Sequence, residues 1–135
     1  MRNPHFEELF SGLSHAPGFQ GVVSRVASEV VGEPVRVSGL TLAAKAVYIA
    51  LVYRETRRPF LIITDGNKQA EALHEAIATL FPMLVADSRV EPQLLPALDV
   101  LPLQNLSPHA EICEQRAIGL WSLATGRAPI TVLPV

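Results

Sequence analysis

Two short, unbroken apolar runs do most to narrow what this chain can fold into. Phe60-Leu61-Ile62-Ile63-Thr64 lies between Pro59 and the turn-forming Asp65-Gly66-Asn67, and Pro129-Ile130-Thr131-Val132-Leu133-Pro134-Val135 closes the sequence. A strand without polar alternation suits a sheet covered on both faces, the usual situation of parallel strands, whose crossover helices pack over the sheet. Helical segments alternate with these runs. Helices are predicted over 4–13, 19–31, 41–57 and 68–81, and from Ser107 to a stop at Gly126. Phe19, Val22, Val23, Val26 and Val30 recur at helical steps, as do Ala70, Leu73, Ile77, Leu80 and Phe81, and each set predicts one inward face. Val35 to Gly39 reads as a further strand, and Gln93 to Leu98 as another, with Pro96 near its end. The alternation implies an α/β fold: a parallel sheet with helices on both faces and right-handed crossovers.

The helix ends carry their own signals. Gly32-Glu33-Pro34 stops the second helix, and Arg54, Arg57 and Arg58 precede Pro59 at the negative end of the third. Ser107 is the expected N-cap of the last helix, with Pro108 at the first helical position and Glu111 in the first turn. The segment 82–106 holds Pro82, Pro92, Pro96 and Pro102 and gives no clear periodicity.

With 135 residues, 49% of them apolar and 18% charged, the chain is long enough for a substantial core and is not a disordered tail. A net charge of −2 provides no general field for nucleic acid. The single cysteine, Cys113, cannot form an internal disulfide, in keeping with a reducing compartment. The N-terminus has His, Glu and Pro where a signal peptide needs apolar residues, and the apolar stretch Leu40 to Tyr53 is too short for a bilayer. A cytoplasmic α/β domain is the expectation, with N-terminal helices over 1–33 and the sheet-bearing core over 34–135. Because the sequence stops on a strand with no covering element after it, it is expected to be a domain excised from a longer protein.

The stretch Val35 to Val52 resembles a phosphate-binding loop that has lost its phosphate. The pattern G-x-x-x-x-G-K-S/T between strand and helix survives at Gly39 and Lys45, but its second Gly and its hydroxyl residue are Ala44 and Ala46. Ala46 has no oxygen for Mg²⁺, and a left-handed Ala44 would cost about 1–2 kcal/mol. Lys45 is then either a residual phosphate contact or a solvated charge in the first turns of a helix, and the second reading is the simpler one.

Other candidates divide in the same way. Asp65 is either an acid near Mg²⁺ or part of an Asp-Gly turn, the turn being simpler. His109 and Cys113, one helical turn apart, could form a nucleophile and base. No orienting carboxylate is evident beside them, and a lone cysteine on an amphipathic helix is more often a buried small hydrophobe. His5, His15, His74 and His109 lack metal-ligand spacing. Trp121 reads as core or as a surface facing a partner domain, and the three arginines read as a solvated helix end.

Three stretches carry a resemblance to a known family: VSGLTLAAKAVYIALV, RPFLIITDGNKQAEALHEAIATLF and LPALDVLPLQNLSPHAEICEQRAIGLWSLATGRAPITVLPV. Most specific are Leu101-Pro102, Ser107-Pro108-His109, Glu111-Ile112, and Arg116 before Leu120 and Leu123. Together they make residues from about 18 to 135 similar to the N-terminal domain of bacterial transcription-repair coupling factors (Mfd). The family usually has an aromatic-acidic pair and a following Tyr around WETLPY, whereas Leu98-Asp99-Val100-Leu101-Pro102-Leu103 keeps only the acid, the Leu-Pro and the apolar character.

The resemblance implies a module similar to the excision-repair helicase subunit UvrB, with a P-loop NTPase-like first α/β domain whose P-loop (Gly39, Ala44, Lys45, Ala46) is degenerate. It implies a non-catalytic scaffold without metal, cofactor or catalytic residues of its own. ATP and Mg²⁺ would serve a motor elsewhere in the full-length protein, a DNA translocase. UvrA, RNA polymerase and double-stranded DNA would be partners of that full-length protein, UvrA chiefly through an inserted domain, and this segment alone would meet its neighbouring domains. The alternative is the nucleotide-binding half of a UvrB-like helicase, with Lys45 on phosphate and Asp65 near Mg²⁺. A third reading is a small hydrolase using Cys113 and His109.

Overall fold

The run Phe60–Thr64 is a strand, and it pairs in parallel with a second strand at Ile130–Pro134, Phe60 opposite Ile130 and Thr64 opposite Pro134. The computed structural model describes residues 4–28, 32, 34–85, 90–100 and 106–135, with side chains from residue 8 onward. Within them the elements follow as α1 (Pro4–Ser14), α2 (Pro17–Ala27), α3 (Leu42–Thr56), β1 (Phe60–Thr64), α4 (Asn67–Leu84), β2 (Gln93–Leu94), α5 (Ala110–Ala124) and β3 (Ile130–Pro134). The result is an α/β arrangement with a small, wholly parallel sheet of order β1-β3-β2, flanked by helices. No helix among the described residues is long and apolar enough to cross a membrane.

The chain divides into two compact units, Met1–Arg58 with Ala76–Ser88, and Pro59–Glu75 with Arg89–Val135. In the first, α3 starts at Thr41, whose side chain accepts the Ala44 N–H, and stops at Arg57, which adopts a left-handed conformation with φ 54°. Its buried residues include Ala46, Ala50, Leu51 and Tyr53, and the Tyr53 ring lies 5.5 Å from that of Phe81. The helix predicted over 19–31 starts earlier, at Pro17, and ends at Ala27. Arg58 accounts for that end, because its guanidinium donates to the carbonyls of Ala27 and Ser28 at 2.9 and 3.2 Å and so occupies groups that a further turn would use. Val30 lies outside the described residues.

A second expectation fails in this unit. Val35 to Gly39 is not a strand: no ladder pairs it among the described residues, Gly39 takes φ 78°, and Val35 and Val37 are 39% and 47% exposed. β-branched residues favour a strand only where a neighbour is present to pack and pair with them.

In the second unit the sheet is built around β3, whose Ile130, Thr131 and Val132 are completely buried. β1 is expected to be covered on both faces. It lies instead at the edge of the sheet, and Leu61 and Ile63 are 59% and 60% exposed. α4, which belongs to this unit up to Glu75 and to the first unit from Ala76, begins at Asn67 and continues past the predicted end through Pro82 to Leu84; Ala70, Leu73, Ile77 and Phe81 are buried as predicted, while Leu80 is half-buried.

The last helix does not start at Ser107. His109 is the N-cap residue and makes no side-chain cap, so Pro108 and Ser107 stand before the helix. At its other end Gly126, with φ 68°, closes the helix as expected: its N–H donates to Leu123 and that of Arg127 to Ser122.

Candidate functional site

The Gly39–Ala46 segment forms a helix cap rather than a wrap for phosphate. Gly39 takes φ 78°, the conformation that glycine tolerates, and three residues later α3 begins. The Ala44 N–H is taken by Thr41 Oγ1 at 3.3 Å and the Lys45 N–H by the Thr41 carbonyl at 2.9 Å. Ala44 is therefore helical, and the strain expected of a left-handed alanine there does not arise. Lys45 is exposed and has no ion-pair partner among the described residues. Ala46, where the phosphate-loop pattern would have its hydroxyl residue, is completely buried, so its Cβ faces packing and not a ligand.

Beside this segment, within the same unit, lies a groove of about 550 Å³ that sequence reasoning missed. Phe19, Val22 and Arg25 of α2, Arg36 and Val37 of the segment before α3, and Tyr48 of α3 line it. Tyr48 meets the Phe19 ring edge-on at 5.1 Å, and burial raises its phenol above the ordinary value. Periodicity marks the face of one helix; it does not assemble walls from three segments.

Asp65 belongs to the other unit, and its surroundings are those of a turn. Gly66 has φ 83°, its N–H donates to the Thr64 carbonyl at 3.2 Å, and its own carbonyl accepts from Ala70 at the start of α4. The arginines at the end of α3 are not simply solvated. Arg54 bonds Ser14 and Glu55, both at 2.9 Å, Arg58 caps α2, and Arg57 stands 5.9 Å from the Tyr53 ring centre. Three histidines have separate surroundings: His15 Nδ1 meets the Ser11 carbonyl, His74 Nε2 the Pro92 carbonyl, and His109 stands at the surface. The His5 side chain lies outside the described residues. No group of three His, Cys, Asp or Glu suited to a metal occurs among the described residues.

The start of α5 is where candidate residues do come together. Both carboxylate oxygens of Asp99 accept the His109 N–H at 3.3 Å, and one of them stands 3.8 Å from the imidazole Nε2. This is the carboxylate that the sequence did not reveal beside His109 and Cys113, because its position in a proline-rich loop carries no periodicity. Cys113 is exposed, not a buried hydrophobe, and the His109 side chain is 86% exposed. A nucleophile and base so open to water lack the enclosure that makes such groups effective. The arrangement serves the backbone: Asp99 supplies the negative charge and the acceptor that a helix N-terminus needs, a task expected of Ser107.

Three more side chains hold the same loop. Arg116 of α5 donates to the Pro96 carbonyl, Asn67 accepts the Ala97 N–H at 3.2 Å, and His74 meets Pro92 at 3.2 Å. Trp121 is 53% exposed, so it is not core, and Arg127 stacks over its ring at 4.6 Å. Leu101-Pro102 lies outside the described residues. In urea melts Asp99→Ala is expected to lower stability by about 0.5–1 kcal/mol, and Ser107→Ala to stay within about 0.5. The reverse order would return the cap to Ser107.

In comparisons with protein-family models, with curated proteins and with solved structures, nothing matches the chain.

Proposed function

We propose that the chain is the first α/β domain of the UvrB-like module of a transcription-repair coupling factor, a non-catalytic scaffold in a protein that links stalled RNA polymerase to excision repair. The observation that carries this reading is the clasp at the start of α5. Asp99, His109 and Arg116 are residues of the stretch that resembles the family, and their contacts fix a loop against a helix. Residues that hold backbone in place suit a scaffold, and none of them is enclosed as a reacting group would be. The cap at Thr41 adds support, because it consumes N–H groups that a nucleotide's phosphates would need. On this reading UvrA, RNA polymerase, double-stranded DNA, ATP and Mg²⁺ are bound by the rest of a cytoplasmic protein.

Two measurements test the reading. A coupling factor whose own first α/β domain is replaced by residues 1–135 should restore strand-specific repair in cells lacking the factor; a folded hybrid that restores none counts against the assignment. A fluorescent ATP analogue with Mg²⁺ should not saturate the chain, since one exposed charge contributes about 0–1 kcal/mol whereas millimolar binding needs about 4. Saturation at micromolar concentration, lost in Lys45→Ala, would favour the nucleotide-binding half of a helicase.

A further inference from the structure

The open edge of the sheet has a geometry that fits a second copy of itself. The Phe60 N–H donates to the Pro129 carbonyl, and the Thr64 carbonyl accepts from Val135, so residues 60, 62 and 64 face β3. Backbone direction alternates along a strand, so the N–H and C=O groups of Leu61 and Ile63 point away from β3, and among the described residues β1 is the edge of the sheet. Their side chains are 59% and 60% exposed. An edge that is apolar and free of charge within the strand is a template for another strand, and proteins usually block such edges with lysine, proline or a bulge. None of those stands between Phe60 and Thr64.

We propose that the chain self-associates through antiparallel pairing of two β1 edges about a two-fold axis at Ile62, independently of any role in repair. The choice of a second copy rests on self-complementarity. With the axis at Ile62, Leu61 of one copy faces Ile63 of the other, and both residues have outward N–H and C=O groups. Those positions are the hydrogen-bonded pairs of an antiparallel ladder. The same operation places the exposed Leu61 and Ile63 side chains of both copies on one face, where they cover each other. The ends match in charge as well: the exposed Arg57 precedes the strand and Asp65 follows it, so antiparallel pairing brings unlike charges towards each other at both ends. Pro59, at the next outward position, has no N–H to give and limits the ladder to its central residues.

So short a pairing buries far less than the roughly 1,200 Å² of a stable interface, and the dimer is therefore weak. Sedimentation equilibrium and amide hydrogen exchange of the whole chain, from about 10 μM to about 1 mM, cover the range that such a contact requires. The weight-average mass should rise towards that of two copies. Exchange at Leu61 and Ile63 should slow several-fold over that range, while Ile62, which faces β3, stays unchanged. Ile63→Pro removes one outward N–H at a position where an edge strand tolerates proline, and Leu61→Lys places a charge in the patch. Each should keep the parent's circular dichroism and remain monomeric. A parent that stays monomeric to 1 mM, association undiminished in Leu61→Lys, growth into open aggregates without a dimer plateau, or protection of Leu61 and Ile63 only when a different strand peptide is added would each overturn the proposal.

Discussion

Gly119→Leu is expected to lower the unfolding free energy by about 2 kcal/mol, while Gly119→Ala leaves it within about 0.5. α5 packs beside β2 at this residue. A Cβ built on Gly119 would lie 3.1 Å from Leu95 Cδ1 and 3.8 Å from the Leu94 carbonyl oxygen. Alanine meets only the end of a flexible side chain, which can give by a few tenths of an ångström. The loss there is offset by the roughly 1 kcal/mol that glycine costs within a helix. Leucine adds further carbons in a direction occupied by Leu95 and the β2 backbone, and the helix must lift or Leu95 must leave its rotamer. Leu95→Ala opens that space, so the double variant should recover about 1 kcal/mol relative to the sum of the single changes. Equal urea midpoints for Gly119→Leu and Gly119→Ala would mean that α5 does not approach β2 so closely.

The elements that could be read from sequence were those whose pattern is local. The apolar run of β1, the helical spacing of Ala70, Leu73, Ile77 and Phe81, and the glycine stop at Gly126 each depend on a few neighbouring residues, and each stands where the sequence put it. What sequence could not supply was partners. Val35 to Val37 has strand composition but no ladder among the described residues, and β1 has the composition of a central strand but an edge position. Composition reports what a segment tolerates, while pairing depends on which other segments arrive beside it. The cap of α5 illustrates the same limit. Ser107 satisfies every local rule for an N-cap, yet Asp99, from a loop without periodicity, takes the His109 N–H.

The departures of Ala44 and Ala46 from the phosphate-loop pattern predict two losses, close backbone approach at Ala44 and the metal's hydroxyl at Ala46. In the structure the backbone is relaxed and the change lies in how its groups are used: Thr41 takes the Ala44 N–H, and the buried Ala46 belongs to the core. A serine at position 46 alone would thus bring its hydroxyl into packing, not to a metal.

Thr131→Val is expected to stabilise the chain by about 1–2 kcal/mol. Thr131 sits in the middle of the central strand, opposite Leu61 on one side and Gln93 on the other, and is completely buried. Its Oγ1 has no hydrogen-bond partner among the described residues. A hydroxyl taken from water without a partner costs about 1–3 kcal/mol, and its neighbours gain nothing from it. Valine has nearly the same shape, keeps the β-branch that suits a strand, and replaces the orphaned oxygen with a methyl group. The urea midpoint should rise with an unchanged slope, which would locate the gain in the folded state and not in a more compact unfolded chain. Thr131→Ser should act in the opposite direction, because it keeps the unpaired oxygen and removes the methyl group that fills the site. A parent more stable than Thr131→Val would show that the hydroxyl has a partner after all.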